Sequence, residues 1–182
     1  MKFDGVILYG PPASGKDTVT AELCKLSSAY AYFEKLKAGE GRTTGYRMVT
    51  EESLADLRQR GLIVHEVARY GATYAVDSLG LNKLFEQGRI PIVHMGQVAG
   101  VESLRRHNAP WLDVLLWCSK DVTEKRARQR GSSDVKERLA VWDATLADLG
   151  TLAEPQFTMS IRTDVLGPST VAVLIHSAMA RK

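Results

Sequence analysis

The chain has 182 residues, 45% of them apolar and 25% charged, with 24 basic against 21 acidic side chains and a net charge of +3. That size suits one compact domain with a single packed core, and the small charge excess, gathered in two basic clusters, argues against nucleic acid and for anionic small molecules. No apolar run reaches membrane-spanning length and the N-terminus lacks a signal-peptide pattern, so no membrane partner and a cytoplasmic enzyme are expected.

The first predicted element is a buried strand, Val6-Ile7-Leu8-Tyr9, followed by Gly10-Pro11-Pro12-Ala13-Ser14-Gly15-Lys16-Asp17-Thr18 and a helix over 16–26. Strand, glycine-rich turn and helix start make a phosphate-binding loop. Gly10 and Gly15 let the backbone curl its N–H groups onto phosphate oxygens, the helix points its positive end at the same charge, and Lys16 adds a cation at the outer phosphates. The rival is a chance Gly-x4-Gly-Lys string, against which the flanking strand and helix speak. The pattern implies ATP and Mg2+ as cofactors. Asp17 stands where a serine or threonine usually ligates magnesium. Its carboxylate is a hard ligand for the metal, directly or through a water, or else simply a negative charge favoured at a helix N-terminus. Thr18 is placed to hydrogen-bond a phosphate. The loop resembles that of adenylate kinases, which also put a non-hydroxyl residue after the lysine and then a threonine.

Tyr30 to Phe33 reads as a short strand leading into a basic, glycine-containing loop. Thr50 caps a helix that begins with Glu51 and Glu52 and ends near Gly61. Leu62 to Val67 is strand-like, and a helix from Asp77 or Ser78 carries Leu81, Leu84 and Phe85 and stops at Gly88. Ile90 to His94 and Val114 to Cys118 have the length of central buried strands, with a helix bearing Val98, Val101 and Leu104 between them. A helix from Asp121 to Gly131 carries Arg126, Arg128 and Arg130. Gly131-Ser132-Ser133 breaks it from a second helix whose Leu139, Trp142, Leu146 and Leu149 stripe reads as core. Phe157 to Ile161 is a last strand, and Pro168-Ser169 opens a closing helix with Val171, Leu174 and Ile175 inward. Cys24 and Cys118 read as buried thiols and not as a disulfide or metal site.

Alternating strands and helices give an α/β class: a three-layer P-loop NTPase fold with a parallel sheet, an inserted acceptor-binding lobe and a lid. One domain spans 1–182, with a core of 1–30 and 77–182, a lobe over about 31–76 and a mobile lid over about 126–138.

Lys37-Ala38-Gly39-Glu40, Tyr46, Met48-Val49-Thr50, Gly61 to Glu66, Tyr70-Gly71-Ala72-Thr73-Tyr74, Arg126 to Gly131 and Arg138-Leu139 together resemble guanylate kinases in order and spacing. Ribose 1,5-bisphosphate phosphokinases are similar too, and share the Gly-Lys-Asp loop. The guanylate kinase resemblance implies that Tyr46, Tyr74 and Lys37 hold the acceptor phosphate, with Lys35, Arg42 or Arg47 supplying a further cation because Glu34 stands at the second arginine position. It implies acceptor roles for Glu40 and for His65, which replaces the guanine-reading glutamate beside Glu66. Successive strand residues face opposite ways, so either His65 reads a different acceptor or a register shift lets Glu66 serve. The acidic motif after the next parallel strand is replaced by His94-Met95-Gly96-Gln97, which makes His94 and Gln97 acceptor contacts. Arg126, Arg130 and Arg138 match lid and donor-side arginines, and would stabilise the transferring phosphoryl group with Lys16 and magnesium.

Each of these residues has a plainer alternative. The basic loop can be a solvated surface, Arg126 and Arg130 the outer face of a helix, and each histidine an ordinary hydrogen-bonded side chain. The expected function is transfer of the γ-phosphoryl of ATP to a small phosphorylated acceptor, first a nucleoside monophosphate. The alternatives are a sugar-phosphate or specialised-metabolite kinase and a non-catalytic nucleotide-binding module. The oligomeric state is left open.

Overall fold

A computed structural model describes residues 3–69, 71–107, 109–132, 134–151 and 157–179. Its centre is a five-stranded parallel sheet. The strands are β1 (Gly5–Tyr9), β2 (Tyr30–Tyr32), β7 (Ile90–Met95), β8 (Trp111–Trp117) and β9 (Met159–Arg162), in the order β2-β7-β1-β8-β9. β1 reads as an unbroken apolar run because both its faces are covered, and Val6, Ile7, Leu8 and Tyr9 are fully buried. Val6 and Leu8 face α1 (Lys16–Leu26) and α7 (Pro168–Met179) through Val19, Leu23, Val171 and Ile175. Ile7 and Tyr9 face the other way, onto Leu81 of α3 (Ser78–Glu86) and Val101 and Leu104 of α4 (Val98–Arg106). Three layers result, and the carboxyl ends of β7, β1 and β8 open on one edge.

A second sheet, β4-β3-β6-β5, stands on that edge. It is formed by β3 (Lys35–Gly39), β4 (Tyr46–Met48), β5 (Ile63–Arg69) and β6 (Ala72–Asp77), and α2 (Glu51–Gln59) packs on it through Leu54 against Leu36, Ala38 and Ala75. Thr50 caps α2 as expected, accepting the Ser53 N–H at 3.1 Å. The sequence reading foresaw β5 but took β3 and β4 as loop and did not recognise β6 as a strand. Short strands whose inward residues include a lysine carry no clear apolar alternation. Tyr30–Tyr32 pairs with β7, so the second sheet starts at Lys35, a few residues later than the expected lobe boundary.

Beyond the lobe, α5 (Lys120–Gln129) ends at Gly131, whose φ of 68° permits the reversal into α6 (Val135–Gly150). The α6 stripe is core only in part: Leu149 packs against the cluster around Ile7 and Tyr9, whereas Leu146 is 49% exposed, Thr145 is the buried residue, and Trp142 lies on Trp117 and donates Nε1–H to the Cys118 carbonyl at 3.0 Å. On α7 it is Ala172, not Leu174, that packs inward with Val171 and Ile175. Cys24 is exposed, whereas Cys118 is buried and both are free thiols. Tyr70, Ser133 and residues 152–156 lie outside the described residues. No described helix is long and apolar enough to cross a membrane.

Candidate nucleotide and acceptor site

The expected phosphate loop joins β1 to α1 at the open edge of the main sheet. Gly10 has φ 154° and packs so closely on β8 that a Cβ there would lie 2.1 Å from the Leu116 carbonyl oxygen. Gly15 caps α1 in the left-handed conformation, with no side chain taking the first-turn N–H groups. Those donors and the helix dipole are left to an anion. Ala13, at φ 57°, is the one described non-glycine residue with positive φ. Lys16 folds back over the loop, with Nζ donating to the carbonyls of Gly10 at 2.7 Å and Pro11 at 2.9 Å, and burial lowers its pKa to about 8. Pro12 and Ser14 complete the turn, Ser14 fully buried.

Two cavities meet at this loop. One, of about 290 Å³, lies beside the start of α1 between α5 and the segment following β9, and Gly15, Thr18, Arg126, Arg130 and Thr163 line it. Arg126 donates to the Ala13 carbonyl at 3.0 Å and to the Thr163 carbonyl at 2.6 Å, and Thr163 Oγ1 donates to the Ser14 carbonyl at 2.9 Å. Arg126 therefore braces the loop from the α5 side and does not line the cleft on the far side of Lys16. Thr163 was not foreseen, because a lone threonine after an edge strand carries no motif.

The larger cavity, of about 350 Å³, opens on the other side of the loop, toward the lobe. Lys16, Asp17 and His94 line it next to the loop, Arg130 and Arg138 where α5 gives way to α6, and Lys35, Arg42, Tyr46 and Arg69 on the lobe side. Arg138 pairs with Asp134 at 2.8 Å and holds that carboxyl below the usual range. Burial, with Lys16 and Arg69 nearby, lowers Lys35 to about pKa 8. Of the three basic residues weighed for the extra charge, Lys35 and Arg42 reach the cleft. Arg47 does not: it is paired with Asp77 and donates to the Glu34 carbonyl. Arg69 was not anticipated, since an arginine at a strand end looks like ordinary surface charge.

Tyr46 and Tyr74 stand together as expected, their ring centroids 5.3 Å apart. Lys37 does not reach out to a ligand. It is 1% exposed, its Nζ lies near both rings, and it donates to the carbonyls of Glu40 at 2.5 Å and Arg42 at 2.8 Å. Its charge holds the turn after β3. Glu40 is exposed and offers that turn its backbone oxygen, while its side chain lines neither cavity.

A recess of about 180 Å³ extends the cleft between the lobe and α4, lined by His65, Tyr74, Gln97, Lys35 and Arg69 among others. The register of β5 shifts between Ile63 and His65, and of the adjacent pair that follows it is His65 that faces the recess. His65 points in, hydrogen-bonded to Gln97, its pKa lowered by burial first and Lys35 second. Glu66 points out to Arg58, at 2.8 and 2.9 Å, so the expectation that it could contact the acceptor is not met. His94 is held by Thr20 Oγ1 at 2.7 Å, with Nδ1 3.5 Å from Asp17. Burial, then Lys16 and Lys35, push its pKa well down, so the imidazole is neutral. No three His, Cys, Asp or Glu side chains converge among the described residues. A divalent cation would be held by Asp17 and by phosphate oxygens, for which its exposed carboxylate is the right chemistry.

No protein-family model matches the chain, and no curated protein is significantly similar to it in sequence. Solved structures do match. Guanylate kinase from Anaplasma phagocytophilum superposes with TM-score 0.67 at 16% identity, covering 98% of this chain and 86% of that one. The Deinococcus radiodurans tunicamycin resistance protein gives 0.55 at 17% identity, over 98% and 97% of the two chains. APE1195 gives 0.56 at 16% identity, over 98% and 96%. The parallel sheet, the loop after β1 and the inserted second sheet thus belong to a P-loop kinase fold, the one resembled in the sequence and shared with guanylate kinase.

Proposed function

We propose that the protein is an ATP- and Mg2+-dependent phosphotransferase acting on a small phosphorylated acceptor. The observation that carries this reading is the convergence of Lys16, Lys35 and Arg69 in one cleft that runs from the phosphate loop into the lobe. Three cations that repel one another in a partly enclosed space are stabilised when two phosphate groups enter, one from the donor and one from the acceptor.

In the reaction, an oxygen of the acceptor phosphate attacks Pγ of ATP. The new O–Pγ bond forms as the bond from Pγ to the β–γ bridging oxygen breaks, giving ADP and the acceptor with one more phosphoryl group. Asp17 would hold the magnesium that comes with the nucleotide, and the ion would supply positive charge to the nucleotide's phosphates. Lys16 leaves the loop carbonyls for the outer phosphates, Arg130 and Arg138 face the transferring group from the lid side, and Lys35 and Arg69 align the attacking phosphate. No base is needed, because a phosphate oxygen is already an anionic nucleophile.

A nucleoside monophosphate is the first acceptor to test. A sugar phosphate is favoured by one specific observation: His65 and Gln97 line the recess, and Glu66, the neighbouring carboxylate, faces Arg58 instead. The N–H groups of guanine's edge would meet no carboxylate there. The experiment is ATP-to-ADP conversion with magnesium against GMP, dGMP, AMP, CMP, UMP, dTMP and ribose 1,5-bisphosphate, with Lys16→Ala as control. Acceptor-dependent turnover lost in Lys16→Ala supports the reading. Tight ATP binding without turnover on any of them favours another acceptor or a non-catalytic nucleotide-binding module.

A further inference from the structure

Asp17 and His94 meet at the mouth of the phosphate loop from two different elements. Asp17 lies in the first turn of α1, its side chain 73% exposed, and His94 near the end of β7 is 12% exposed. Asp17 Oδ1 and His94 Nδ1 are 3.5 Å apart, beyond the 2.7–3.2 Å of an N–H···O hydrogen bond. The other ring nitrogen, Nε2, is 2.7 Å from Thr20 Oγ1, one turn further along α1. With Nε2–H donating to that hydroxyl, Nδ1 turns its lone pair toward the cleft beside the carboxylate. A histidine that binds a metal through one nitrogen is usually fixed in this way through the other.

We propose that the Asp17 carboxylate and His94 Nδ1 are both ligands of the divalent cation that accompanies the nucleotide. The inference rests on the nucleotide-binding reading of the loop. Ligand bonds of about 2.1 Å place neighbouring donors about 3 Å apart, so a small rotation of the exposed Asp17 side chain closes the pair around one ion. Phosphate oxygens and water fill the remaining positions. Magnesium disfavours nitrogen, whereas first-row cations accept an imidazole beside oxygen ligands. The site therefore takes Mn2+ in preference to Mg2+, a consequence of exchanging an all-oxygen set for one oxygen and one nitrogen.

The test uses the full chain with saturating ADP and Mn2+ as a paramagnetic probe. Pulsed electron paramagnetic resonance reads nitrogen coordinated to the ion, and titration reads its affinity. A coordinated-imidazole signal is expected in the wild type and in His65→Asn, and not in His94→Asn. Mn2+ affinity is expected to fall about 10–100-fold in Asp17→Asn and in His94→Asn, while calorimetry shows metal-free ADP binding retained. Bound Mn2+ without the nitrogen signal in the wild type, or undiminished Mn2+ affinity in His94→Asn, overturns the inference. The wild-type spectrum decides alone if a variant does not fold. Failure of the wild type to bind ADP overturns the loop reading and this inference with it, whereas ADP binding without the nitrogen signal overturns this inference only.

Discussion

Asp148 accepts the hydroxyl hydrogen of Tyr9 at 3.2 Å across 139 residues of sequence, and with the same oxygen accepts the N–H of Val98 at 2.7 Å. One carboxylate near the end of α6 thus joins the last residue of β1, just before the phosphate loop, to the first turn of α4, just after Gln97. Burial and this carboxylate push the Tyr9 pKa up, keeping the phenol a donor. Asp148→Ala leaves both donors without their partner and is expected to destabilise the protein by about 1–3 kcal/mol in denaturant unfolding. Asp148→Asn, which keeps an oxygen there, loses less.

Arg126 bridges the Ala13 carbonyl and Thr163 with the two arms of its guanidinium. Arg126→Lys keeps the charge but cannot span both. ADP affinity by calorimetry is expected to fall on the order of tenfold in Arg126→Lys and further in Arg126→Ala. The acceptor KM is expected to move less than the ATP KM, because the side chain stands on the side of the loop away from the lobe.

His65 and Glu66 are neighbours on β5 with opposite fates. His65→Asn alters the recess and is expected to raise the acceptor KM severalfold, while the ATP KM stays as it is. Glu66→Gln breaks an exposed pair with Arg58 and leaves both constants unchanged. A rise in acceptor KM in Glu66→Gln would mean that the strand register differs when the acceptor is bound.

Lys35 gives the site a pH dependence. Burial, Lys16 and Arg69 lower its pKa from 10.5 to about 8 in the ligand-free protein, so the unfolded chain binds the extra proton between those values. Stability from this residue therefore rises with pH through that window, and the charged form is penalised below it. A phosphate in the cleft favours the charged ammonium. Acceptor binding is expected to take up protons near pH 8 and to weaken as pH rises above it, in calorimetry run in buffers of different ionisation heat. Lys35→Met removes the proton uptake and is expected to raise the thermal midpoint at pH 7.

The strand–loop–helix unit from Val6 to Leu26 was legible because each of its signals is local. An apolar run, two glycines that need special φ, a lysine and a helix start lie within one stretch of chain. The helices α2, α3 and α4 were equally readable from caps and apolar spacing. The lobe strands β3, β4 and β6 were not, because short strands with polar and small residues gain their stability from pairing partners far away in sequence. The lobe side of the cleft was legible in outline only: Tyr46, Tyr74, His65, His94 and Gln97 do line the cleft and its recess.

Which charge does which task was decided by the tertiary structure alone. Lys35 and Lys37 are alternate residues of one strand, yet Lys35 reaches the cleft and Lys37 bends onto the carbonyls of Glu40 and Arg42. His65 and Glu66 are successive residues of β5 that face opposite ways, one to the recess and one to Arg58, just after a register shift between Ile63 and His65 that no local pattern announces. Arg69, Thr163 and Asp148 reach the loop region from a strand end, an edge strand and the end of a helix. The sequence by itself determined the phosphate loop and the α/β class, since both follow from short-range backbone chemistry and apolar periodicity. The direction of each long polar side chain follows instead from which carbonyl, carboxylate or ring the fold brings within about 3 Å, and only the folded chain contains that information.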